Sequence, residues 1–152
     1  MSATTYTACN QCNQVNRVPS ATDDGKKPVC GRCKTELSIH EGMSDLNAPA
    51  LDALIKKSEL PVVVDFWAAW CQPCKMFAPV FKQGASKMAG QVVFAKVDSE
   101  ANPTASAQYK IRGIPTLILF QNGIEIARHS GALPPETFIQ WLQTQLDLST
   151  AA

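Results

Sequence analysis

Cysteine spacing constrains this chain more than any other feature. All six cysteines fall in three C-x-x-C pairs: Cys9 with Cys12, Cys30 with Cys33, and Cys71 with Cys74. Pairs at this spacing are disulfide staples, metal ligands or redox centres, and the redox compartment decides among them. Residues 1–16 carry no basic stretch, no apolar stretch and no small-residue cleavage site, so no signal peptide is expected. Nor does any run approach the roughly 18 apolar residues of a membrane span. The reading is therefore a cytoplasmic chain with reduced thiols, in which cysteine pairs bind metal or do redox chemistry.

The chain changes character near residue 42. Before it the sequence is polar and turn-rich, with Asn10, Asn13, Pro19, Ser20, Asp23, Asp24, Gly25, Pro28 and Gly31, and holds too few large apolar residues to offset its own ordering entropy. Such a segment needs a staple, and four of the cysteines lie in it. Two units are expected: a cysteine-bearing segment over 1–42 and a catalytic domain over 43–152. Across all 152 residues, 45% are apolar, enough for a real core. A net charge of +1 removes the electrostatic ground for nucleic acid or an anionic membrane as main partner.

Cys9-x-x-Cys12 and Cys30-x-x-Cys33, joined by residues 13–29, have the spacing of a zinc ribbon. A two-residue gap turns both sulfurs of a pair toward one point, and two such knuckles complete a tetrahedron. Asn10 and Gly31 are expected to supply the unusual backbone conformations of the knuckles. Four thiolates leave no position open for water, so the Zn²⁺ is expected to be structural, one per chain. His40 and His129 read as solvated histidines rather than ligands.

Beyond residue 43 the pattern alternates. Asn47–Ser58 reads as a capped helix with Pro49 in its first turn. Pro61–Trp67 and Val92–Val97 read as buried strands, and Pro103–Tyr109 as a short helix. Cys71 to about Met88 reads as a helix kinked at Pro79. Thr116–Phe120 and Ile124–Ala127 flank Asn122-Gly123, the favoured hairpin turn, and Pro134–Leu146 closes the chain as a helix. That order predicts an α/β fold with a mixed central sheet flanked by helices, parallel crossovers first and an antiparallel hairpin last.

The third pair lies where a strand has ended and a helix begins. Unpaired amides and the positive end of the helix dipole favour a thiolate at Cys71, drawing its pKa from about 8.5 toward about 7. Cys71 is then the nucleophile. Cys74, one turn in, is expected to be the more buried and to resolve the mixed disulfide.

Residues 44–148 resemble thioredoxin: Val64-Asp65-Phe66-Trp67-Ala68, Trp70-Cys71-Gln72-Pro73-Cys74-Lys75, Val97-Asp98, Arg112-Gly113-Ile114-Pro115-Thr116, Asn122-Gly123 and Gly131-Ala132 follow the family's pattern in order. The four-cysteine segment resembles the zinc-binding extension of bacterial thioredoxin 2. Gln72 departs from the family's usual glycine and bears on redox poise. The resemblance implies a thioredoxin fold with a small zinc-ribbon-like segment. It also implies that Asp65 exchanges a proton with the resolving thiol, that Lys96 moderates this acid, and that Pro115 is cis. By the same resemblance Trp70, Ile114, Gly131 and Ala132 form the patch on which an extended substrate lies.

The function expected is a protein-disulfide reductase: Cys71 attacks a substrate disulfide and Cys74 resolves the intermediate, leaving a Cys71–Cys74 disulfide. The resemblance points to a flavoprotein thioredoxin reductase as electron donor. The chain has no Gly-rich dinucleotide fingerprint, so it is expected to bind no nicotinamide itself. A monomer is expected, with disulfide-containing proteins as partners, and neither nucleic acid nor membrane. The competing reading is a zinc-dependent, redox-switched peptide-binding or chaperone module on the same fold.

Overall fold

The computed structural model describes residues 3–20 and 27–150, with side chains through 147; Asp23, Asp24 and Gly25 lie outside the described residues. Strands β1 (Thr4–Ala8) and β2 (Val15–Pro19) form an antiparallel pair. There follow β3 (Ile39–His40), β4 (Met43–Asp45), α1 (Ala48–Lys57), β5 (Val62–Trp67), α2 (Gln72–Lys87), β6 (Val93–Asp98), α3 (Pro103–Gln108), β7 (Thr116–Gln121), β8 (Ile124–Ser130) and α4 (Pro135–Thr150). The main sheet has six strands in the order β3-β4-β6-β5-β7-β8. β4, β6 and β5 run parallel, β7 adds to β5 antiparallel, and β8 pairs antiparallel to β7 at the sheet's edge, so parallel crossovers come first and an antiparallel hairpin last, as the alternation of elements predicts. Asn122 and Gly123 both take the positive φ that their tight turn demands.

Period-2 alternation sorts the sheet's side chains onto two faces. Val62, Val64 and Phe66 of β5 join Val93, Ala95 and Val97 of β6 under α1. Val63, Phe94, Leu117 and Leu119 point the other way, toward Phe77 and Phe81 of α2 and Phe138 and Leu142 of α4. Asn47 caps α1, its side chain accepting from the Ala50 amide at 3.0 Å, and Lys56 and Lys57 close it. α2 runs through Pro79 as one helix.

Four strands, β1 to β4, escaped the sequence reading. Met43–Asp45, at the expected boundary of the two units, is a strand inside the main sheet. β1 and β2 are also unforeseen, and they do not stand apart. Ala8 is fully buried in the core under α1, with Tyr6 and Val15 packed against it. The buried Ser44 hydroxyl meets that of Thr7 at 2.7 Å. β3, on the amino-terminal side of residue 42, forms the edge of the main sheet beyond β4.

Candidate functional site

The β5–α2 junction builds the reactive pair. β5 delivers the chain to the sheet's carboxyl end, and α2 starts at Gln72 with Pro73 in its first turn, where no hydrogen bond is forfeited. Cys71 is the N-cap residue, its sulfur accepting from the Cys74 amide at 3.2 Å, and the two cysteines form a disulfide with Cα atoms 5.3 Å apart. The expectation that Cys74 is the more buried is corrected: Cys71 is 3% exposed and Cys74 4%. In a closed disulfide the helix turn and the Ile114–Pro115 loop cover both sulfurs alike. What differs is the surface each residue reaches. Cys71 lines a groove of about 520 Å³ with Trp70, Pro73, Arg112, Gly113 and Ile114. Cys74 lines a separate cavity of about 290 Å³ with Trp67, Ala68, Lys75, Ala78 and Lys96.

Facing the pair, the Ile114–Pro115 peptide is cis, and the Ile114 carbonyl oxygen lies 3.7 Å from the Cys71 sulfur. Ile114 packs against Ala68, Cys71 and Cys74. The Gly131 amide donates to the Pro115 carbonyl at 2.8 Å, so Gly131 sits beside Pro115 with its φ of +106°. Ala132 follows on the surface. Trp70 stands 64% exposed at the groove's edge, its indole N–H donating to Glu100 at 2.5 Å.

Asp65 lies beneath. It is 1% exposed and neither carboxylate oxygen has a hydrogen-bond partner among the described residues. Burial pushes its carboxyl up to about 7, against the pull of Lys96. Lys96 is Asp65's register partner on β6, and its Nζ sits 5.2 Å from the centre of the Trp67 ring.

The thioredoxin family model matches residues 42–144, spanning every element that carries this site. The chain belongs to the thioredoxin family. It is 46% identical to Thioredoxin C-3 of Corynebacterium nephridii over 138 residues, 91% of this chain and 93% of that one. Over 87 residues, 57% of this chain and 86% of the relative, it is 49% identical to Thioredoxin 1 of Chlorobaculum tepidum. Against the thioredoxin of Haemophilus influenzae the identity is 42% over 89 residues, 59% of this chain and 83% of that one. The first likeness is long enough to run into the cysteine-bearing segment. A redox-active disulfide at the start of α2 in a thioredoxin fold makes the chain a thiol–disulfide oxidoreductase with protein-disulfide reductase activity.

This thioredoxin carries a second thiol cluster. The sulfurs of Cys9, Cys12, Cys30 and Cys33 all lie within 4.8 Å of one another. Cys9 and Cys33 approach to 3.6 Å, and Cys12 and Cys30 to 3.7 Å. A tetrahedral site with Zn–S near 2.3 Å has edges of about 3.8 Å, so the donor set fits a metal of that kind. The two knuckles repeat each other: Asn13 N–H donates to Cys9 at 2.8 Å and Lys34 N–H to Cys30 at 3.0 Å, each to the carbonyl. Positive φ falls on Asn13 and Lys34, not on Asn10 and Gly31 as expected from residue type. Asn10 instead docks the knuckle. It bonds the Asp45 carbonyl and both the amide and the side chain of Asn47, each at 2.9 Å. Above all the Cys33 amide, then the Arg32 amide and the Asn16 side chain, hold the Cys30 thiol down near 6 against its burial.

Sequence reasoning missed Glu100, Asn16, Asn10's docking role and Thr35, whose hydroxyl meets the Cys33 sulfur at 3.1 Å. Each partners a residue distant in sequence or acts through geometry alone. Asn16 was the most findable, a short amide after a knuckle. His40 stays exposed, and His129 packs its ring 6.4 Å from that of Trp141. No described helix is long and apolar enough to cross a membrane.

Proposed function

We propose that this chain is a cytoplasmic, thioredoxin 2-like reductase of protein disulfides, divided into a zinc-bearing segment over 1–42 and a catalytic domain over 43–152. The observation that carries the reading is the Cys71–Cys74 pair at the head of α2, with the Ile114 carbonyl 3.7 Å from the Cys71 sulfur. In the forward step the Cys71 thiolate attacks one sulfur of a substrate disulfide and expels the other as thiolate. Cys74, deprotonated with Asp65 accepting its proton, then attacks the Cys71 sulfur and releases the second substrate sulfur. Two electrons pass to the substrate and the Cys71–Cys74 disulfide forms.

Asp65 suits the proton role because burial brings its proton affinity near neutrality, where it can both take and return a proton. Lys96 moderates it from the next strand. Trp70, Ile114, Gly131 and Ala132, with the backbone beside Pro115, offer an extended substrate a shallow platform. Cys9, Cys12, Cys30 and Cys33 hold one structural Zn²⁺, whose contribution is to order a segment with little core of its own. The chain acts as a monomer and takes electrons from a flavoprotein thioredoxin reductase.

The test is insulin-disulfide reduction, with dithiothreitol and separately with NADPH and a thioredoxin reductase as electron source. Turnover with both is expected. Turnover with dithiothreitol alone refutes the partner assignment, and turnover with neither refutes the reductase reading.

A further inference from the structure

Three neighbouring strands set an acid, a base and an acid in one row. Asp45 of β4 is the register partner of Lys96 in β6, and Lys96 is the register partner of Asp65 in β5. Both pairings are parallel, so the three side chains stand on one face of the sheet, the face that Val63, Phe94 and Leu117 cover toward α2 and α4. Cys74 of α2 lines a cavity with Trp67 and Lys96. Burial is graded along the row: Asp65 is buried, Lys96 half-buried and Asp45 exposed.

Lys96 also divides two spaces. With Trp67 it lines the cavity that reaches Cys74, and the same two residues line a cleft of about 540 Å³ together with Asn10, His40 and Asp45. The strand bearing Asp45 is firmly placed. Its amide donates to the Ser38 carbonyl at 2.8 Å, and the next amide, Leu46, donates to the Lys96 carbonyl at 3.0 Å. Asn10 of the first cysteine knuckle holds the Asp45 carbonyl. Although Asp45 is exposed as a residue, the cleft walls desolvate its carboxyl in part and raise it, against the pull of Lys96 and then His40. One cation therefore serves two carboxylates.

We propose that Asp45 is a positioning residue for the proton step, drawing the Lys96 ammonium toward the cleft end of the row so that Asp65 retains its proton affinity. The inference rests on the proton role given to Asp65 above. Asp45 touches neither sulfur nor substrate and acts through Lys96. With its charge gone, Lys96 is wholly available to Asp65, which then releases its proton at lower pH. Among the described residues, the other charged or titratable groups that line the two spaces with Lys96 are His40 from β3, Asp98 from β6 and Lys75 from α2, with Cys74 of α2 joining them once reduced, while β7 presents Leu117 at the register position of Asp65. All of them are unchanged in the variants below.

The experiment follows the Asp65 carboxyl carbon by ¹³C NMR against pH in the oxidised full-length protein, where the dithiol does not titrate. In Asp45→Asn the midpoint is expected to fall by about half a pH unit or more, and in Lys96→Met to rise. In the Lys96→Met background, Asp45→Asn is expected to add almost nothing. A midpoint in Asp45→Asn within about 0.2 unit of wild type overturns the proposal. So does an equal shift with and without Lys96, because Asp45 would then act as a distant charge. Asp45→Ser, which also removes the charge, guards against an effect peculiar to asparagine. Asp65→Asn tests the underlying reading separately: resolution of the mixed disulfide as fast as in wild type across the neutral range refutes Asp65's role. Slow resolution in Asp65→Asn, together with an unmoved midpoint in Asp45→Asn, refutes the Asp45 proposal alone.

Discussion

The backbone amide of Cys74 donates to the sulfur of Cys71 across 3.2 Å, so the reactive sulfur is itself the N-cap acceptor of α2. An N-cap acceptor satisfies one of the helix's orphan amides, and a charged acceptor is held more strongly than a neutral one. In the reduced protein this arrangement assigns the thiolate to Cys71. Limiting iodoacetamide is expected to label Cys71 before Cys74, as read by peptide mass spectrometry. Cys71→Ser should lower insulin reduction on the order of a thousandfold or more. Cys74→Ser should still attack and accumulate a substrate adduct, visible on non-reducing gels. Equal labelling of the two thiols would contradict the assignment.

The pH dependence of stability carries a signature of Asp65. Its folded-state pKa, pushed up to about 7, stands above that of an exposed aspartate near 3.9 in the unfolded chain. Here the folded state binds the proton more tightly. The protonated form is fully accommodated below about pH 4, and stability is lost as pH rises through about 7. Asp65→Asn removes this dependence. The variant and wild type should be nearly equally stable near pH 4 and diverge as pH rises. Above pH 7 the variant should be the more stable, by up to about 4 kcal/mol. Urea unfolding across pH checks it, and a constant difference between the two proteins would show that Asp65 keeps an ordinary pKa.

Much of this was legible because the deciding signals are local. Asn122-Gly123 dictates its own turn, Asn47 its own cap, and three valines before Asp65 leave that acid nowhere but the interior. What stayed hidden depends on partners far along the chain. Met43–Asp45 is too short to show a period, and becomes a strand only because β6 offers it a ladder. Nothing in the residues around Asn10 marks it as a docking side chain, since its partners are Asp45 and Asn47. Residue type also misplaced the strained backbone of the knuckles. The position that must turn is set by the amide returning to the first cysteine's carbonyl, and it falls on Asn13 and Lys34 whatever their neighbours are.

Gly84 gives a packing test of the catalytic domain. A Cβ built on it would lie 2.6 Å from Cε2 of Phe138 and 3.2 Å from Phe94. Those rings are locked in a cluster, Phe138 sitting 5.1 Å from Phe77 and 5.9 Å from Phe81. Alanine in place of a helical glycine gains up to about 1 kcal/mol in propensity. Overpacking a filled core costs roughly 1–3 kcal/mol. Gly84→Ala is therefore expected to be destabilising overall, by about 1–2 kcal/mol, in denaturant unfolding. A stabilised variant would show that the Phe138 ring can move aside.

The four-cysteine cluster is expected to carry one zinc per chain, measurable by atomic emission on protein purified without chelator. Among the described residues Cys9, Val18, Cys30 and Leu37 form the buried cluster around it, with Cys12 and Ile39 packed against them, so the apolar core behind the two knuckles is small. The hairpin behind them differs, because Ala8, Tyr6 and Val15 lean on the core under α1. Stripping the metal with a mercurial and a chelator should therefore raise amide exchange in residues 9–16 and 30–37 far more than in β1. Strands β5 to β7, held by the main core, should keep their protection. Asn10→Ala, which removes two side-chain bonds at 2.9 Å, should loosen the first knuckle while leaving the zinc content at one. Loss of protection throughout β1 and β2 on metal removal would show instead that the metal, and not the packing of Ala8, holds the hairpin to the catalytic domain.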